Sequence, residues 1–79
     1  MLLLFQTENC PYCAKVRSVL TLLNISYLAI NATSGSKARE IQLKLGDLDQ
    51  VPFLVDIDNG VTMYESDDIV AYLDRTYGK

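Results

Sequence analysis

The chain has 79 residues, 49% of them hydrophobic and 22% charged, a composition that folds around a core but leaves little apolar surface to spare. Its formal charge of −3 and the scatter of its seven Lys and Arg residues argue against a nucleic-acid surface, which needs clustered positive charge. No apolar run approaches membrane-spanning length, so a membrane partner is not expected either.

Met1 to Phe5 is apolar. It is too short for the hydrophobic part of a signal peptide, lacks a basic segment before it and runs into the polar Gln6-Thr7-Glu8-Asn9. It reads instead as a buried strand over residues 2–5. Without an export signal the expected compartment is the cytoplasm, which keeps thiols reduced. The two cysteines, Cys10 and Cys13, therefore read as redox or metal-binding groups and not as a structural staple, whose small loop would stabilise little.

Pro11 suits the first position of a helix, where its fixed φ helps and its missing N–H costs nothing. Val16, Val19, Leu20 and Leu23 then recur at helical spacing, with Lys15, Arg17 and Ser18 off the stripe and Asn24 as a stop. Ile25 to Ile30 has the β-branched and aromatic character of a second strand, parallel to the first because a helix connects them. Asn31 to Gly35 is a polar turn. Ser36 to Leu45 reads as a second helix with Ala38, Ile41 and Leu45 inward, ended by Gly46.

Val51-Pro52 opens a third strand, Phe53 to Ile57, and Asp58-Asn59-Gly60 signals a hairpin with a two-residue loop leading to Val61–Tyr64. Ser66 is placed to cap a last helix whose inner side is Ile69, Val70, Leu73 and Tyr77, with Asp67 and Asp68 matching the dipole of its first turn. The expected architecture is α/β in the order β-α-β-α-β-β-α, one domain over residues 1–79: a four-stranded mixed sheet with helices on both faces. A Cys-x-x-Cys between the first strand and first helix of such a pattern reads as a thioredoxin-like redox motif.

The motif distinguishes its two thiols. Backbone N–H groups in the first turn of a helix have no intrahelical partner, and the dipole there is positive. A thiolate at Cys10 can accept from the N–H groups near Tyr12 and Cys13, and such settings lower a thiol pKa from about 8.5 to about 3.5–7.5. Cys13, one turn further in, stays a thiol. Cys10 is thus the expected nucleophile and Cys13 the resolving partner. Glu8 opposes the effect, no Lys or Arg precedes Cys10, and Lys15 is the nearest basic residue in sequence. The competing readings are two inert core cysteines, or a zinc site shared between chains. The sequence has no His and no third Cys to complete a zinc site within one chain.

Cys10-Pro11-Tyr12-Cys13, Val51-Pro52 and Ser66-Asp67-Asp68 together resemble a glutaredoxin of the dithiol type, over nearly the whole chain. The resemblance implies a thioredoxin fold and reduction of protein disulfides and glutathione-mixed disulfides, with glutathione as cosubstrate. No tightly bound cofactor or metal is implied, and the expected state is a monomer acting on disulfide-containing proteins. By the same resemblance Cys10 forms the mixed disulfide and Cys13 resolves protein disulfides. Tyr12 flanks the bound tripeptide, Pro52 is cis, and the Val51 backbone pairs with its cysteinyl part. Ser66 and Asp67 hold the γ-glutamyl end.

Two departures stand out. Thr7 occupies the place where glutaredoxins commonly carry Lys or Arg, leaving Lys37, Arg39 or Lys44 as candidate substitutes. Tyr64-Glu65-Ser66 replaces a usual glycine pair, and Glu65-Ser66 with Ile69 and Tyr72-Leu73 looks more like the N-terminal domain of a glutathione S-transferase. The alternatives are a thioredoxin-like electron donor reduced by a flavoenzyme, a glutathione-binding transferase-type module without redox turnover, and an iron–sulfur carrier joining two chains through Cys10. Proline after Cys10 speaks against the last.

Overall fold

A computed structural model describes residues 1–78; Lys79, the last residue of the expected 1–79 domain, lies outside them. The elements follow the expected order: β1 (Leu2–Gln6), α1 (Pro11–Leu22), β2 (Leu28–Asn31), α2 (Lys37–Gly46), β3 (Phe53–Asp56), β4 (Val61–Met63) and α3 (Ser66–Tyr77). The strands form one sheet in the order β2-β1-β3-β4. β1 runs parallel to β2 (Leu4 opposite Ala29) and antiparallel to β3 (Leu4 opposite Leu54), and β3 pairs antiparallel with β4 (Val55 opposite Thr62). This is the thioredoxin fold.

Alternation along β1 and β3 sends side chains to both faces, and each face is covered. On one, Leu2, Leu4 and Leu54 pack with Val16 and Leu20 of α1 and Ile69, Tyr72 and Leu73 of α3. On the other, Phe5, Phe53 and Ala32 pack with Ala38 of α2 and with Tyr64. Truncating one of the fully buried leucines to Ala would cost about 2–5 kcal/mol. Among the described residues, no helix is long and apolar enough to cross a membrane.

Several local expectations are corrected. β2 begins at Leu28, not Ile25, because Asn24 takes a left-handed φ of 57° and the amide of Ile25 is still held by the Leu20 carbonyl at 2.9 Å. In α2 the inward residues are Ala38 and the fully buried Gln42, while Ile41 and Leu45 are 53% and 50% exposed. Gln42 is inward because its amide has partners there: Nε2 donates to the Leu48 carbonyl at 2.6 Å and to the Tyr64 hydroxyl at 2.9 Å.

Gly46 does not terminate α2 by a left-handed turn; Asp47 does, with φ 78°. Gly46 is the last helical residue, and its missing side chain makes room: a Cβ there would lie 2.1 Å from the Tyr64 hydroxyl and 2.6 Å from Phe53 Cε1. The β3–β4 connection has four residues, 57–60, since Asp56 pairs with Val61, and only Gly60 within it has positive φ. Ser66 is the first residue of α3 and not its cap. Glu65 holds the cap position without a side-chain bond.

A polar knot closes the end of β3. Buried Asp56 accepts through Oδ2 from the hydroxyls of Tyr72 and Tyr77, both at 2.6 Å, and from Asn59 Nδ2 at 2.9 Å. Burial opposes its charge, but these donors outweigh it and hold the carboxyl down to about 2. Tyr72, missing from the expected inner side of α3, is buried because its hydroxyl has this partner.

Candidate functional site

Cys10 is the N-cap of α1, extended at φ −93° and ψ 117°, with Pro11 beginning the helix. Its Sγ accepts the Cys13 backbone N–H at 3.3 Å, and its own N–H donates to the Thr7 carbonyl at 3.3 Å. Both cysteines are free; Cys10 is half-buried and Cys13 fully buried. Partial burial works against a Cys10 thiolate. The Cys13 thiol, the backbone N–H groups of Cys13 and Tyr12, and the positive charge of Arg17 outweigh it and hold Cys10 below the ordinary thiol value. Burial pushes Cys13 the other way, up to about 11, and its neighbour Cys10 adds to the rise. The two thiols therefore differ chemically: the outer one gives up its proton more readily and the inner one keeps it.

Beside the motif lies an open cleft of about 410 Å³ lined by Tyr12, Gln50, Val51, Pro52, Glu65, Ser66 and Asp67. Five residues expected from sequence to bind one ligand, drawn from α1, the approach to β3 and the start of α3, thus line one depression. Cys10 is not in its lining but stands two residues before Tyr12, whose ring is 66% exposed. The Val51–Pro52 peptide is cis. The β1–β3 ladder begins at Phe53, so Val51 lies beyond it. At the far side α3 starts with Ser66, and its first intrahelical bond is from Ile69 N–H to the Glu65 carbonyl at 2.9 Å. The earlier N–H groups lie at the positive end of the helix, which suits a carboxylate.

Two further residues line the cleft: Gln50, which no motif marks, and Glu65, which the sequence marks only through its likeness to a transferase. Gln50 Nε2 donates to Glu65 Oε1 at 3.1 Å. Glu65 itself has φ 66° and ψ 116°, a backbone region that strains a residue with a side chain. The tyrosine before it is fixed from below: the Tyr64 hydroxyl accepts the Leu48 N–H and donates to the Leu48 carbonyl, each at 2.9 Å. Asp67 pairs with Lys15 of α1, both side chains being largely exposed.

Among the described residues, no Lys or Arg lines the cleft. Arg39, one of the candidate substitutes for a basic residue at Thr7, is committed elsewhere, donating to the Ala32 carbonyl and Asp49 at 2.9 and 2.8 Å. Lys37 and Lys44 stand exposed on α2. The cation that does reach the motif is Arg17. It stands seven residues after Cys10 and folds back to the Thr7 carbonyl at 3.3 Å, a contact that its position off the apolar stripe does not reveal in the sequence. Among the described residues, no group of three or more Cys, His, Asp or Glu side chains is placed to hold a metal.

Residues 4–79 match the family described as glutathione S-transferase, N-terminal domain. An uncharacterised glutaredoxin-like 8.6 kDa protein of the rubredoxin operon of Clostridium pasteurianum is 30% identical over 61 residues, 77% of this chain and 80% of that one. Among solved structures, glutathione S-transferase isozyme E7 of Drosophila melanogaster superposes with a TM-score of 0.87 at 31% identity, over 100% of this chain. A glutathione transferase homologue from Drosophila mojavensis with bound glutathione gives 0.87 at 29% identity over 99%. The chain spans only 36% of the length of either transferase.

Proposed function

We propose that this chain, which belongs to the glutathione S-transferase N-terminal domain family and is glutaredoxin-like, is a glutathione-dependent thiol–disulfide oxidoreductase. The observation that carries the reading is the arrangement of two free thiols one helical turn apart, Cys10 at the cap of α1 accepting the Cys13 N–H and Cys13 buried beneath it, beside a cleft lined by cis-Pro52 and the start of α3. A transferase needs no second thiol there; closing an internal disulfide to release a reduced protein does.

In the reaction, the Cys10 thiolate attacks the glutathione sulfur of a mixed disulfide. The old S–S bond breaks and the substrate sulfur leaves as a thiolate that takes a proton from water. A second glutathione thiolate then attacks the glutathione sulfur on Cys10, releasing oxidised glutathione and returning the Cys10 thiolate. With a protein disulfide, Cys10 forms the mixed disulfide and Cys13, after losing its proton, attacks Cys10 Sγ and expels the reduced protein. Two glutathione molecules reduce the resulting Cys10–Cys13 disulfide.

Glutathione as the ligand is supported by a related transferase that carries it and by the cleft. Tyr12 would flank the tripeptide, Val51 would pair with its cysteinyl backbone, and Ser66 and Asp67 would receive its γ-glutamyl end. The reading places the chain in the cytoplasm, as a monomer acting on disulfide-containing proteins. Its test is the choice of reductant: glutathione with glutathione reductase should regenerate the Cys10–Cys13 dithiol, and regeneration by a thioredoxin-type flavoenzyme alone would overturn it.

A second reading is favoured by Glu65-Ser66 and by similarity to transferases of which this chain spans 36%. It is a glutathione-binding module whose activity resides in a longer protein. Loss of Cys13 would leave that activity intact, and disulfide reduction would be absent from the start.

A further inference from the structure

A thiolate before a helix is helped by a nearby cation, yet this sequence places Thr7 and Glu8 ahead of Cys10. The structure supplies the cation from the other direction. Arg17, two turns into α1, folds back under the loop that precedes the motif. Its guanidinium donates to Gln6 Oε1, to the Thr7 carbonyl at 3.3 Å and to the Glu8 carbonyl at 3.4 Å. The Thr7 carbonyl is the acceptor that also holds the Cys10 N–H. Buried Gln6 extends the grip, donating from Nε2 to Asn31 Oδ1 at 2.9 Å and to Glu8 Oε2 at 3.1 Å.

We propose that Arg17 is the positioning residue of the Cys10 nucleophile, clamping the loop that carries it and supplying the positive charge that the residues before the motif lack. The proposal rests on reading Cys10 as the nucleophile. Three acceptors on consecutive residues match the planar fork of a guanidinium and not the single point charge of an ammonium. The Arg17 side chain is only 20% exposed, so its field is less screened than that of a surface lysine. It acts on the nucleophile through the loop and through space and does not touch substrate.

The other charges at this end of the molecule are largely occupied with one another. Lys15 pairs with Asp67, and Glu65 is bonded to Gln50. Glu8, whose carboxylate lies 3.8 Å from Arg17, offsets part of its charge from the solvent side. Cys13 donates to Cys10 Sγ from within α1. The positive charge of Arg17 lowers the pKa of both thiols.

The test separates charge from clamp and uses no glutathione, so its failure is distinct from failure of the proposed function. Alkylation of Cys10 by iodoacetamide is followed against pH by mass spectrometry in wild type, Arg17→Gln and Arg17→Lys. Arg17→Gln keeps a donor but no charge, and its midpoint should rise by about half a unit or more, with about threefold less thiolate below the midpoint. Arg17→Lys keeps the charge and should titrate within about 0.3 units of wild type, while its Cys10 amide, held by the Thr7 carbonyl, exchanges with deuterium about five- to tenfold faster. An Arg17→Gln midpoint equal to wild type overturns the role of the charge. An unchanged Cys10 amide in Arg17→Lys overturns the clamp, and that measurement decides the matter if Arg17→Gln does not fold.

Discussion

Cys10 Sγ accepts the backbone N–H of Cys13 at 3.3 Å, so the amide of one member of the pair stabilises the charge of the other. The same turn that exposes Cys10 at the end of α1 buries Cys13 beneath it. Their opposite shifts follow from one piece of geometry.

The first prediction concerns these thiols in the folded protein. Cys10, held below the ordinary thiol value, should alkylate at lower pH than Cys13, which should resist until the pH nears its raised value of about 11. A lowered pKa means more thiolate at a given pH, so the Cys10 curve lies on the acid side. In denaturant the two curves should merge. Equal reactivity of both cysteines in the native state would remove the distinction of roles.

A second prediction lies at the other end of the sheet. Asp56 titrates at about 2 when folded against an ordinary 3.8, so its stabilisation is present above the unfolded value and is lost as pH falls through the folded one. The effect is on the order of 2 kcal/mol. Denaturant titrations between pH 5 and 2 should show this loss in wild type. Asp56→Asn should be less stable at pH 7 and should lose that part of the acid dependence. At alkaline pH the sign reverses for Tyr77, raised to about 12 by the same carboxylate: its contribution is full below 10 and fades toward 12.

The third prediction separates stability from binding at Glu65. A residue with φ 66° and ψ 116° costs about 1–3 kcal/mol of backbone strain, which glycine would relieve. Glu65→Gly should therefore match or exceed wild type in thermal stability despite losing the bond from Gln50. On the proposed function it should also raise KM for glutathione several-fold, because Glu65 lines the cleft. Unchanged KM would make Glu65 an ordinary loop residue.

The fold was legible because the main periodicities are unambiguous: an apolar run at β1, Val16, Leu20 and neighbours at helical spacing, Ile69 and Leu73 on α3. The misreadings have physical reasons. Ile41 and Leu45 have the right spacing for an inner face, yet α2 turns Gln42 inward because Leu48 and Tyr64 offer its amide partners from distant sequence. Gly46 has the sequence look of a helix stop, yet its missing side chain leaves room for Tyr64 and Phe53, a contact no local pattern displays. At the site, the cysteines, Val51-Pro52 and Ser66-Asp67 were marked by motif. Gln50 and Arg17 carry no motif, and only the folded chain brings Gln50 to Glu65 and Arg17 to the carbonyls of Thr7 and Glu8.

The most direct measurement of the central claim is glutathione-coupled reduction of a small glutathione-mixed disulfide, recycled by glutathione reductase, for wild type, Cys10→Ser and Cys13→Ser. Turnover that vanishes without Cys10 and persists without Cys13, while reduction of a protein disulfide fails in both variants, is the predicted result. A wild-type protein with no turnover, or one in which Cys10→Ser remains active, would contradict it.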